Sequence, residues 1–167
     1  MQLLITSDFR RFLMPFKLIF GLVLCVILAS GSPAVAATTN GSGVDFLQQP
    51  ALEIAINLGN EAGELKYFPN QLDFEAGKRY KLVLKNPSPL KHYFTGKDFA
   101  DAIWTQKVEA GNVEIKGAIR EIELKPGAKA EWVFVPLKSG RYSFRCPIPG
   151  HTEAGMTGQA LIAQSQA

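Results

Sequence analysis

The residues best suited to chemistry lie in one short stretch near the end of the chain. Cys146, His151 and Met156 follow one another at steps of five residues in the segment Cys-Pro-Ile-Pro-Gly-His-Thr-Glu-Ala-Gly-Met. Copper favours thiolate, thioether and imidazole ligands, and an electron-transfer copper site uses two imidazoles, a thiolate and a weak axial thioether. The stretch therefore predicts a copper site that needs one more imidazole.

His92 is the only other histidine in the sequence. The remaining cysteine and methionines, which are Met1, Met14 and Cys25, all lie in an N-terminal segment that we expect to be removed. Alternatively, Cys146 and Met156 are buried packing residues, as both types often are, and His151 is a surface imidazole. The coincidence of all three on one Pro- and Gly-containing loop favours a metal site. We therefore predict that His92, Cys146, His151 and Met156 bind one copper ion per chain, which cycles between Cu(I) and Cu(II).

The elements that must position these ligands are strands. Alternating apolar and polar residues predict strands over residues 52–58, 65–68, 72–74, 80–84, 119–124, 132–135, 141–146 and 159–162, and an extended pattern resumes at His92. Turn signals such as Pro126-Gly127 separate them. Seven or eight short strands of this kind predict an all-β fold, an antiparallel β-sandwich with Greek-key connections.

One segment interrupts the strand pattern. Four residues have helical spacing: Phe99, Ala102, Ile103 and Gln106. Asp98 could cap a helix that begins there, so a short helical insertion is predicted around residues 98–107. It either covers one edge of the sandwich or shapes a surface for a partner, and Trp104 within it is expected to be buried.

The two ligand-bearing segments have different sequence characters. His92 follows a proline-containing crossing in which Asn86 is expected to supply hydrogen bonds that tie the crossing to the Cys146 loop. In that loop, Pro147 and Pro149 restrict the backbone, so the ligand frame should be stiff. Together with Ile148 the two prolines would surround His151 with apolar surface, where a transient partner could dock.

Residues 1–36 are predicted to be a secretory signal peptide. Arg10, Arg11 and Lys17 precede an apolar run over residues 18–29, which is too short to span a bilayer, and Ala34-Val-Ala36 forms a cleavage site. General secretion fits better than twin-arginine export. We expect residues 37–50 to form a flexible tail and residues 51–167 to form one copper-binding domain, exported to a periplasm or a thylakoid lumen without a stable membrane anchor after cleavage.

Composition and ligand counts exclude several functions. The chain has 18 Lys and Arg against 15 Asp and Glu, and no basic cluster that would indicate a nucleic-acid partner. The single cysteine left after cleavage cannot form an internal disulfide. A catalytic multicopper centre would need further imidazoles, so we do not expect an enzyme, and a thioether ligand disfavours structural zinc. We expect a monomer.

Two parts of the sequence resemble the two ligand regions of the cupredoxins, the small type 1 (blue) copper proteins. They are Asn86 with His92-Tyr-Phe, and the stretch from Tyr142 through Cys146 and His151 to Met156. The resemblance covers residues 52–163 and includes plastocyanin-, azurin- and auracyanin-like domains. It implies a copper-containing β-sandwich that transfers single electrons between larger redox proteins, here a cytochrome or a membrane oxidoreductase docking near His151. A copper carrier or chaperone that delivers the ion to an acceptor remains the alternative.

Overall fold

A computed structural model describes residue 45 and residues 47–165. Within them the strands are β1 (Leu52–Leu58), β2 (Tyr67–Phe68), β3 (Gln71–Glu75), β4 (Tyr80–Lys85), β5 (His92–Thr95), β6 (Ile103–Ala110), β7 (Val113–Ile115), β8 (Glu121–Leu124), β9 (Lys129–Pro136), β10 (Gly140–Arg145) and β11 (Thr157–Ala163), and the helix is α1 (Lys97–Asp101). None of the helices in this part of the chain is long and apolar enough to cross a membrane. The signal peptide predicted at residues 1–36 and most of the tail predicted at 37–50 lie outside the described residues.

The strands form two sheets, and the all-β sandwich is confirmed. One sheet has the order β2-β1-β4-β9-β6-β7 and the other has the order β3-β11-β10-β5-β8. Most neighbours are antiparallel, as predicted, but β1 pairs with β4 and β3 pairs with β11 in parallel. Two parallel neighbours must be joined by a crossover connection. Between β1 and β4 the chain passes through β2 and then enters the second sheet as β3, and this segment is the crossover.

Large aromatic side chains fill the space between the sheets. Trp132 and Phe134 project inward from β9, and the Trp132 ring packs edge-on against Phe94 of β5. These three rings and Phe144 of β10 are each at most 1 % exposed. The Phe94 and Phe144 rings stack with their centroids 4.6 Å apart. Fully burying such a ring contributes about 2 kcal/mol, so this core fixes the ends of β5 and β10 firmly. Those ends carry His92 and Cys146.

The helix is shorter than the prediction of residues 98–107. It ends at Asp101, and Ile103–Ala110 instead forms β6, which pairs with β9. Five residues are too few for a helix that is stable by itself, and α1 is held because Phe99 is fully buried. Trp104 is 44 % exposed, so the expectation that it is buried was wrong. In a strand next to a bulge, its side chain faces away from the core.

Candidate metal site

His92 lies at the start of β5, at the end of the crossing from β4, and the buried side chain of Asn86 holds this crossing. The Nδ2 group of Asn86 donates hydrogen bonds to the backbone oxygens of Leu90 and Leu124, each at 2.8 Å, and its Oδ1 accepts one from the Ser88 N–H at 3.0 Å. These bonds remain within the crossing and reach β8. The expectation that Asn86 ties the crossing to the Cys146 loop was therefore wrong.

Tyr67 holds β5 from its other side. Its hydroxyl donates a hydrogen bond to the backbone oxygen of Tyr93 at 2.6 Å. Its ring also packs edge-on against Phe144, with the centroids 5.0 Å apart. Burial, and then the electrostatic influence of the nearby Cys146 side chain, raise the pKa of Tyr67 far above its usual range, so the hydroxyl stays protonated as a donor. Tyr93, the residue after His92, is thus held by a hydrogen bond whose donor stays protonated.

The loop between β10 and β11 is cross-linked by its own backbone. The Cys146 N–H donates to the Met156 oxygen at 3.1 Å, and the Met156 N–H donates to the His151 oxygen at 2.9 Å. The Thr152 hydroxyl donates to the Cys146 oxygen at 2.7 Å, and the His151 N–H donates to the Ile148 oxygen at 3.0 Å. Together these bonds make the loop a compact frame whose ligand-bearing positions cannot separate easily.

Three of the four residues predicted as ligands converge between these segments. One possible ligand atom from each of His92, Cys146 and His151 lies within 4.8 Å of the others. Cys146 Sγ is 3.4 Å from His151 Nδ1, and the two imidazole centroids are 5.1 Å apart. Nitrogen and sulfur ligands bound at about 2.0–2.3 Å in a trigonal arrangement lie about 3.6 Å from each other, so the cluster already has the dimensions of a metal site.

Met156 is the fourth predicted residue. It is fully buried at the far end of the same loop, and its backbone is bonded to both Cys146 and His151. The structure thus places its thioether in the core beside the segment that carries the cluster.

The burial of the cluster is uneven. His92 and Cys146 are fully buried, whereas His151 is half-buried. Around His151, Pro147 and Pro149 are exposed and Ile148 is half-buried. His151 is therefore the member of the cluster that connects the interior with the surface.

The electrostatics of His92 suit a metal ligand. Burial, and then the neighbouring His151, lower the pKa of His92 to about 4. The imidazole is consequently neutral at physiological pH and keeps a lone pair that can bind a metal. Its Nδ1 atom is buried and has no hydrogen-bond partner in the part of the chain that the structure describes, while its Nε2 atom lies 3.1 Å from Ser88 Oγ. Burying a polar nitrogen without a partner costs free energy, and a metal ion bound to Nδ1 would satisfy it.

Comparison with known proteins agrees with this geometry. The chain is 26% identical over 184 residues to the copper-resistant cuproprotein CopI of Pseudomonas aeruginosa, covering 92% of this chain and 98% of that protein. A multi-copper oxidase from Pediococcus acidilactici has a similar structure, with a TM-score of 0.52 and 14% sequence identity, over 71% of this chain and 27% of that one. The chain is cupredoxin-like.

An auracyanin from Roseiflexus castenholzii also resembles this cupredoxin-like chain, at a TM-score of 0.48 and 19% identity, over 68% of this chain and 98% of that one. The matching part spans about a quarter of the oxidase but nearly all of CopI and of the auracyanin. No protein-family model matches the chain.

Sequence reasoning missed two hydroxyl groups of the cupredoxin-like site. Thr152 closes the Cys146 loop, and Ser88 contacts His92. Ser88 lies between Pro87 and Pro89, four residues before His92. A hydroxyl residue in a tight turn before a candidate ligand was the available signal, because Ser often bonds to backbone groups two residues ahead, as Ser88 does with Leu90.

Proposed function

We propose that the chain is an exported copper protein that carries one electron at a time between redox partners. The ligands are His92, Cys146, His151 and Met156, and one copper ion is bound per chain. The observation that carries the proposal is the convergence of His92, Cys146 and His151 within a frame of buried strands and hydrogen bonds. A soft thiolate combined with two imidazoles and a thioether is the ligand set of electron-transfer copper sites.

Bound copper would supply the one-electron redox chemistry. The residues of this chain would hold the ion, exclude water and offer a surface to a partner. Cys146 and His92 exclude water because both are fully buried. The cross-linked loop keeps His151 and Met156 at fixed positions, so little rearrangement accompanies a change of one charge. The half-buried ring of His151 provides the shortest route to the surface, where Pro147, Ile148 and Pro149 offer apolar area to a cytochrome or a membrane oxidoreductase.

The same ligand count argues against catalysis. Both histidines of the chain belong to this one site, so no imidazole remains for a second, catalytic centre. We therefore propose a carrier rather than an enzyme. Export to a periplasm or thylakoid lumen, expected from the signal peptide predicted at residues 1–36, and a monomeric state complete the proposal.

A second candidate function is copper handling. It is favoured by the similarity to the copper-resistant cuproprotein CopI, which extends over 92% of this chain. In that case the chain would hold the ion temporarily and pass it to an acceptor. The buried thiolate and the cross-linked loop favour retention of the ion, which is why electron transfer is the primary proposal.

Two mixing experiments separate these functions. Copper-loaded protein is combined with a reduced cytochrome, and in a parallel sample with a copper-free acceptor of comparable affinity. Protein loaded with redox-inactive Zn(II) is the control for the first mixture. Electron transfer predicts rapid oxidation of the cytochrome by the copper form alone and slow loss of copper to the acceptor. Rapid copper loss without cytochrome oxidation would establish the copper-handling alternative instead.

A further inference from the structure

We propose that Ser88 is a positioning residue that orients His92 for the metal and makes its Nδ1 atom a stronger donor to Cu(II). This inference rests on the proposed copper site and assigns a role to a residue outside the ligand set. It begins from the two nitrogens of His92, which have different surroundings. Nδ1 is buried and has no hydrogen-bond partner among the described residues, and Nε2 is within hydrogen-bond distance of Ser88 Oγ at 3.1 Å.

The metal-bound form determines the direction of the hydrogen bond. When Nδ1 donates its lone pair to a metal, Nε2 must carry the proton of the neutral imidazole. The Nε2–H group is then a buried donor, and Ser88 Oγ is its acceptor among the described residues. The Leu90 N–H also donates to Ser88 Oγ, at 3.2 Å, so the hydroxyl oxygen accepts two bonds with its two lone pairs.

Ser88 itself is held firmly. It is 1 % exposed, and its N–H donates to Oδ1 of the buried Asn86 at 3.0 Å. The amide of Asn86 is bonded in turn to Leu90 and Leu124. The hydroxyl therefore has little freedom to leave the imidazole, and the chain from Asn86 through Ser88 to His92 acts as a rigid support.

The backbone at Gly59 closes the other side of the same ring edge. A Cβ atom at this position would lie 3.0 Å from His92 Nε2 and 2.9 Å from Ser88 Cβ, and the residue has a φ of +78°. Only glycine allows the chain to approach this closely in that conformation. The imidazole is thus confined between Gly59 and Ser88, which prevents it from turning Nε2 toward the metal.

Accepting the Nε2–H proton has an electronic consequence. A hydrogen bond at the second nitrogen of a metal-bound imidazole fixes its tautomer and raises the basicity of the nitrogen that binds the metal. The more basic ligand favours the more highly charged ion, Cu(II), over Cu(I). Loss of the Ser88 hydroxyl should therefore weaken Cu(II) binding more than Cu(I) binding and raise the reduction potential.

The test compares Ser88→Ala with Ser139→Ala in the full domain. Ser139 carries an exposed hydroxyl in the turn between β9 and β10, so the control removes the same group away from His92. Affinities for Cu(II) and Cu(I) are measured by competition with chelators, and the potential is measured by redox titration. We expect Ser88→Ala to lose about 10- to 100-fold in Cu(II) affinity, with a smaller loss for Cu(I) and a raised potential. Ser139→Ala should match the wild type.

A second measurement is independent of affinity. In the diamagnetic Cu(I) form of the wild type, 1H–15N NMR should show a downfield proton signal from His92 Nε2–H that exchanges slowly with solvent. In Ser88→Ala this signal should move upfield and exchange faster. Equal affinities, potential and Nε2–H signals for Ser88→Ala and wild type would overturn the role of Ser88 while leaving the copper site intact. A wild-type protein that binds no copper would instead refute the proposed function itself. Denaturation of the copper-free variant checks that it is folded.

Discussion

The crossing that carries His92 and the loop that carries Cys146 and His151 present their ligands in different ways. The crossing buries Asn86, Ser88 and His92, and side-chain hydrogen bonds from Asn86 and Ser88 hold it. The loop is held mainly by its own backbone and exposes part of His151. In the proposed site, the crossing would fix one imidazole and set its electronic character, whereas the loop would supply the thiolate and leave His151 accessible to a partner.

The largest expected effect comes from removing the thiolate that anchors the loop side. Cys146→Ser should abolish the intense charge-transfer colour of the copper form, because the thiolate is the donor of that transition. The fold should persist at a cost of about 1–3 kcal/mol for a buried hydroxyl. Visible spectra and copper-free melting curves test this, and a variant that keeps the colour would show that Cys146 is not the ligand.

A matched pair of deletions tests the difference in exposure directly. His151→Gly should open the site to solvent, because His151 is half-buried among exposed prolines, and added imidazole should restore the colour. His92→Gly leaves a cavity that is fully enclosed, so the same imidazole should restore little or nothing. Titration of each copper-loaded variant with imidazole measures both. If imidazole restored the colour equally in both variants, the sites of His92 and His151 would not differ in their access to solvent.

These two segments also differ in how well the sequence revealed them. Cys146, His151 and Met156 lie close together in one short stretch of sequence and have the residue types of copper ligands, so a pattern could single them out. His92 was found only because it is the one other histidine. The tight turn at Ser88 was visible in the sequence, but the contact of its hydroxyl with His92 was not, because the approach of Gly59 and the bond from Asn86 to Leu124 depend on packing between distant strands. The helix at 98–107 was overextended because pairing with β9 outweighed the local helical spacing in residues 103–107.

The buried side should also give the copper-free protein a pH dependence. The pKa of His92 is about 4 in the folded chain, against an ordinary value of 6.5. Between these values the unfolded chain binds a proton that the folded chain does not, so the free energy of unfolding should decrease as the pH falls from 6.5 to 4, by at most about 3 kcal/mol. Urea denaturation across this range measures it. His92→Gln should reduce the pH dependence of the free energy of unfolding relative to wild type. An equal pH dependence in the variant and the wild type would show that His92 does not cause it.

The smallest change is expected at the open side. Ile148→Glu should leave the spectrum and the copper affinity nearly unchanged, because the hydrogen bond of Ile148 within the loop uses its backbone oxygen and its side chain is only partly buried against the core. Exchange of electrons with a partner should slow by about tenfold, since a desolvation cost of 1.4 kcal/mol is sufficient for that factor. Stopped-flow mixing with a reduced cytochrome measures the rate, with Ser139→Ala as a surface control. An unchanged rate would place the docking surface elsewhere.

In the proposed function, two segments far apart in sequence together form one mononuclear copper site with a thiolate ligand. The decisive experiment is titration of the purified, copper-free protein with Cu(II), followed by visible absorption. We expect an intense charge-transfer band that grows linearly and stops at one equivalent of copper per chain. Absence of the band, or growth that continues well beyond one equivalent, would contradict it.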